Sequence, residues 1–147
     1  MVLSAGLTNE QIEASKTWVY DFYKAFDSLD LDRWLPEFHK ADITLNLGNL
    51  PTMKGLEAMH EHFERQNPQL LSMRHTMKNI DVFADHIYAQ NEATFIVKND
   101  PEHKEIKIQA ICLFWKNINE KKASAIDVYF DPSALIERIQ MFLQINA

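Results

Sequence analysis

The chain has 147 residues, 46% apolar and 24% charged, with 3 Gly and 5 Pro, which excludes collagenous, low-complexity and disordered classes and leads us to expect one globular domain over residues 1–147. A chain of this size buries enough surface for a core with a cavity inside it. The net charge is −6, from 15 Lys and Arg against 21 Asp and Glu, and the positive residues are scattered, so no surface for nucleic acid or an anionic membrane is expected.

Cys112 is the only cysteine. That excludes an intramolecular disulfide and a multi-cysteine zinc site, and it suits a reducing, cytoplasmic compartment. The opening segment Met1 to Leu7 lacks the basic start and long apolar run of a secretory signal, and no apolar stretch approaches bilayer length. A soluble protein is expected.

Thr8 with Gln11 three positions on reads as a capping box, and Ile12, Val19, Phe22, Phe26 and Leu29 recur at helical spacing. A first helix over roughly residues 9–28 follows. Asp30 caps a short second helix carrying Leu31, Trp34 and Leu35, which Pro36 should bend or end. Over residues 42–47 Ile43, Leu45 and Leu47 alternate with polar residues, the period of a half-buried strand, and Gly48-Asn49-Leu50-Pro51 closes it. A third helix begins near Gly55, presents Leu56, Met59 and Phe63 on one face, and stops before Pro68.

Residues 73–83, 86–98, 105–116 and 123–130 then read as strands joined by short turns, an antiparallel meander. Ile111 to Trp115 is apolar on both faces, so the strand holding it should be central and covered on each side, a second subunit being one candidate cover. Asp131-Pro132 opens a closing helix with Leu135, Ile136, Ile139 and Phe142. The order α-α-β-α-β-β-β-β-α is α+β: a curved antiparallel sheet wrapped on helices as a cone, whose wide end is the default place for a small molecule.

Within that cone His75 shares the inward face of its strand with Met73 and Met77, while Arg74, Thr76 and Lys78 face away. Two readings stand: an acid or base in an apolar cavity, or a core histidine with a hydrogen-bond partner. Asp27 lies at the edge of the first helix's apolar stripe, in line with Tyr23 and Tyr20. A carboxylate there meets the negative end of the helix dipole, so helix stability does not explain it; an inward role toward a histidine or tyrosine and a solvated aspartate both remain open. His60 and His62 flank Glu61 and are expected at the surface. His39, His86 and His103 fall at element ends without a ligand cluster, so no metal site is expected. No glycine loop for a phosphate cofactor and no Gly-x-Ser-x-Gly elbow is present. On the last strand Ile126, Val128 and Phe130 should face in, Asp127 and Tyr129 out, and Asp131 should cap the final helix rather than catalyse.

The element order, the segment from Ala25 to Trp34, the Gly55 helix start, the inward His75 and Val128-Tyr129-Phe130-Asp131 together resemble the nuclear transport factor 2-like superfamily over roughly residues 10–143, in its SnoaL-like branch. The scytalone dehydratase family is the most similar at Phe26-Asp27-Ser28-x-Asp30-x-Asp32-Arg33. The resemblance implies a catalytic aspartate at Asp27 and a partner histidine at His75. That family has a tyrosine where Phe26 stands, and its further histidine, serine and asparagine find no like residues. The arginine and two aspartates of limonene epoxide hydrolase fall near Asn91, Ala93 and Val128, and the general-base aspartate of ketosteroid isomerase falls near Leu47, so neither mechanism is implied.

The expected function is cofactor-independent acid-base chemistry, an isomerisation, cyclisation or dehydration of an apolar, oxygenated small molecule. Asp27 and His75 would be catalytic. Tyr20, Tyr23, Phe26, Leu45, Leu47, Met73, Met77, Asn91 and Val128 would bind substrate, with Asn91 donating a hydrogen bond. The alternative is a non-catalytic ligand-binding or dimerisation module of the same fold. By analogy, and from the aromatic load, a homodimer is expected.

Overall fold

The computed structural model describes residues 6–143, so most of the segment Met1 to Leu7 lies outside the described residues. The elements are α1 (Asn9–Asp27), α2 (Leu31–Phe38), β1 (His39–Leu47), β2 (Met53–Lys54), α3 (Gly55–Gln66), a 3-10 turn (Asn67–Gln69), β3 (Leu70–Val82), β4 (His86–Val97), β5 (Ile106–Trp115), β6 (Ala123–Phe130) and α4 (Ser133–Leu143). The expected order holds, with β2 added; two residues are too few to show a period.

The helix boundaries follow local chemistry. Thr8 Oγ1 accepts from the Gln11 amide at 3.1 Å while Gln11 Oε1 accepts from the Thr8 amide at 2.9 Å, satisfying two donors at the start of α1. Asp30 Oδ1 accepts from the amides of Asp32 and Arg33 and opens α2. Pro36 does not stop this helix, which runs on to Phe38. In so short a helix the missing N–H forfeits only the bond to Asp32. Gly55 starts α3 at φ +86, a conformation that strains a side chain. Asp131 caps α4, accepting from the Ser133 amide at 3.0 Å.

The strands lie in the order β2-β1-β6-β5-β4-β3. The last four form the expected antiparallel meander. The sheet as a whole is mixed rather than antiparallel, because β1 pairs parallel to β6. After α3 the chain re-enters the sheet at the far edge, and four alternating strands bring β6 back beside β1 in β1's own direction.

Two register shifts in the β3–β4 pairing, at Leu70/Ser72 and Met77/Asn79, bend this edge. Each shift also changes which residues face inward. Met73 is buried before the second shift and Val82 after it, an odd set giving way to an even one.

The interior has two parts. Val19, Phe22, Trp34, Phe38, Ile43 and Phe114 belong to a cluster between the first two helices and the sheet. Leu70, Phe95, Val97, Ile106, Leu135 and Phe142 belong to a second, involving α4. Arg138 on α4 fastens that helix to the β4–β5 loop: its Nε and one terminal nitrogen each lie 2.9 Å from an oxygen of the buried Asp100.

The central strand is not covered on both faces within this chain. Ile111 is 43% exposed and Trp115 37% on the outer side. Tyr88 and Tyr129 are exposed there too, and Asp127 accepts from Asn46 Nδ2 at 2.7 Å and Trp115 Nε1 at 3.1 Å. The outward placement of Asp127 and Tyr129 agrees with the strand period.

Candidate functional site

A cavity of about 270 Å³ opens between the helices and the concave side of the sheet, with Leu135, Ile136 and Ile139 of α4 on its wall. Apolar side chains make up most of its wall.

His75 enters the cavity from β3, and Asp27 stands behind it at the last residue of α1. His75 Nδ1 lies 2.6 Å from Asp27 Oδ1, and the His75 backbone N–H donates to Asp27 Oδ2 at 2.8 Å. A carboxylate only accepts, so a ring hydrogen sits on Nδ1, and the neutral form of this imidazole carries its lone pair on Nε2. Among the described residues Nε2 has no hydrogen-bond partner. The ring lies between Tyr23, at 4.6 Å between centroids, and Phe26, at 5.4 Å, both tilted by 31°. These two rings and the two bonds to Asp27 fix the orientation of the imidazole.

Of the residues expected to bind substrate, Tyr23, Phe26, Leu45, Leu47, Met73, Asn91 and Val128 line the cavity. Tyr20 does not: it is 57% exposed, on the solvent side of α1. Helical spacing sets the direction in which Tyr20 points but not where the packed surface ends. Met77 also lies outside the cavity, at the second register shift, and packs against the core between the helices and the sheet.

Asn91 is oriented opposite to expectation. Its Nδ2 donates to Tyr23 Oη at 3.3 Å and to the Ala89 carbonyl at 3.4 Å. The amide hydrogens are therefore engaged, and the group left over is the oxygen.

Sequence reasoning missed Trp34, His62 and Cys112 on the cavity wall. His62 is half-buried rather than superficial, and its buried Nε2 has no hydrogen-bond partner among the described residues. The signal was its place three residues after the buried Met59, at the rim of the apolar face of α3. Burial, together with the nearby Arg65 charge, lowers its ring below the ordinary histidine range against the opposing contact with Gln66. Cys112 follows the inward period of β5, and burial pushes its thiol up to about 12, keeping it protonated. Burial first, then Cys112 and Asp27, push the Tyr23 phenol well above its usual value.

His39 is buried and points elsewhere, with its Nδ1–H donating to the Leu35 carbonyl at 2.9 Å. Desolvation lowers it to about 4. His60 lies at the surface beside Glu64. No group of three His, Cys, Asp or Glu that could hold a metal ion occurs among the described residues. No described helix is long and apolar enough to cross a membrane.

No protein-family model and no curated protein sequence matches the chain. Its architecture does match solved structures. An NTF2-like protein of unknown function from Burkholderia pseudomallei K96243 superposes with a TM-score of 0.68 at 17% identity, over 84% of this chain and 95% of that one. The chain has the NTF2-like fold.

Further solved structures superpose as well. A putative SnoaL-like polyketide cyclase from Jannaschia sp. CCS1 gives a TM-score of 0.70 at 12% identity, over 92% of this chain and 94% of that one. SalBIII, an epoxide hydrolase/cyclase-like enzyme with a role in pyran ring formation in the polyether salinomycin, gives 0.68 at 16% identity, over 84% and 95%. At such identities the likeness shows the fold alone. Within this NTF2-like cavity the lining includes no carboxylate, lysine or arginine among the described residues, and Leu47, Ala93 and Val128 present only apolar surface.

Proposed function

We propose that the protein is a SnoaL-like acid-base enzyme acting, without a cofactor, on an apolar, oxygenated small molecule held in the cone. The observation that carries this reading is the Asp27–His75 pair at the cavity wall. His75 Nε2 takes a proton from the ligand. The electron pair stays on the ligand as an enolate or alkoxide, and Asp27 stabilises the imidazolium that forms. The same proton then returns at another ligand atom or leaves with water, which gives isomerisation, cyclisation or dehydration.

A placed base contributes about 10² to 10⁴ in rate. Water exclusion by the apolar wall supplies a further part. The outer sheet face, with Ile111, Trp115, Tyr88 and Tyr129 exposed, supports a homodimer as the assembly. Light scattering of the wild type against Ile111→Glu checks it.

The chemistry is testable without knowing the natural substrate. Acidic C–H bonds of 2-tetralone exchange with solvent deuterium when a base removes the proton, and proton NMR follows the loss of signal. Wild type should accelerate exchange well beyond an equal concentration of imidazole, and His75→Ala should fall to that background while still binding the ketone. A wild type that binds 2-tetralone without exchanging it would favour a binding module instead.

A further inference from the structure

Asn91 is 1% exposed, on β4, and lines the cavity, yet its Oδ1 is buried without a hydrogen-bond partner among the described residues. The Ala89 carbonyl, 3.4 Å from Nδ2, accepts only. It therefore dictates which end of the amide is nitrogen and leaves the oxygen on the other side. Tyr23 Oη takes the remaining amide hydrogen. A buried carbonyl oxygen left without a donor costs stability until one reaches it.

We infer that Asn91 Oδ1 is the acceptor that reads a hydroxyl of the ligand. The substrate class is thereby narrowed to apolar molecules carrying a free phenol, enol or alcohol, and the O-alkylated counterpart is rejected. The inference rests on the cavity being the ligand site, as proposed above, and not on His75 being a base. His75 Nε2 is also an acceptor when the ring is neutral, and Tyr23 connects the two places, its ring tilted against His75 and its hydroxyl accepting from Asn91. Asn91 thus holds one oxygen of the ligand as an anchor, while the proton removed at His75 comes from elsewhere on the molecule. A site that hydrogen-bonds a hydroxyl discriminates strongly against its absence, because the unmatched polar group stays buried.

The test uses 2-naphthol and 2-methoxynaphthalene, alike in ring and different in the donor, titrated by fluorescence into wild type, Asn91→Leu and His75→Ala. Wild type should bind 2-naphthol tighter by about tenfold or more. Asn91→Leu should erase that preference, and His75→Ala should keep it. Equal binding of both compounds by the wild type, or binding of neither, overturns the inference even if Asn91→Leu fails to fold. So does a preference that survives in Asn91→Leu and vanishes in His75→Ala, since the histidine would then be the reader. A wild type that binds 2-tetralone without exchanging it, with the naphthol preference intact, defeats the catalytic reading and leaves this one standing.

Discussion

Asp27 grips His75 at two points, one oxygen facing the ring Nδ1 at 2.6 Å and the other accepting the backbone N–H of the same residue at 2.8 Å. A contact between α1 and β3 is thereby turned into control of a tautomer. Asp27→Asn loses the bond to the backbone N–H if its oxygen faces Nδ1, and loses the Nδ1–H tautomer if its NH₂ does. If its NH₂ faces Nδ1, the ring hydrogen moves to Nε2 and the base disappears. We expect deuterium exchange into 2-tetralone to fall toward the His75→Ala level and stability to drop by about 1–3 kcal/mol. Unchanged exchange beside a normal melt would remove Asp27 from the mechanism.

Tyr20 and Tyr23 differ by three positions and by a whole environment, the first exposed and the second buried against His75. Tyr20→Ala should change stability by no more than about 0.5 kcal/mol and leave 2-naphthol binding intact. Tyr23→Phe, which removes the acceptor for Asn91 Nδ2, should weaken it. Calorimetric titration of both variants checks this, and a large effect at Tyr20 would place the ligand outside the cavity.

His39 makes stability depend on pH. Its folded value is about 4 against 6.5 for the free ring, so between these values the unfolded chain binds more protons than the native one. Stability then rises with pH through this window, is complete above about 6.5, and is lost on acidification toward 4. The lost contribution is on the order of 3 kcal/mol. Urea titrations at pH 7 and pH 5 measure it, and His39→Gln should flatten this part of the slope.

Arg138 and Asp100 clamp α4 over the cavity. Desolvation works to raise the Asp100 carboxyl, but the Arg138 guanidinium and the amides of Glu102 and Lys104 more than offset it and hold it below the usual range. Arg138→Met leaves that carboxylate buried without its cation. Amide hydrogen exchange along α4 should accelerate and melting should come several degrees lower, with β5 and β6 unaffected. Exchange that quickens equally everywhere would mean global destabilisation rather than release of the helix.

Some of the site could be read locally. The odd period of Met73 and His75 on β3 and the caps at Thr8, Asp30 and Asp131 depend on near neighbours in the chain, and so does the dipole argument that left Asp27 in need of a partner. Met77 keeps the inward face of Met73 and His75 but packs against the helix-side core instead of lining the cavity, and where a cavity stops leaves no mark in the alternation of a strand. The parallel pairing of β1 with β6 was likewise out of reach, since it is set by where the chain re-enters the sheet.

The amino-acid order by itself determined the run of helices and strands and the inward direction of His75, because periodicity and capping act over a few residues. Only the tertiary structure decided that Asp27, 48 positions away, meets that ring, that Tyr20 stays in water and that Asn91 offers an oxygen instead of a hydrogen. Those outcomes depend on which distant surfaces touch. A helix knows its own azimuth, but the extent of the sheet beneath it is set by other segments of the chain.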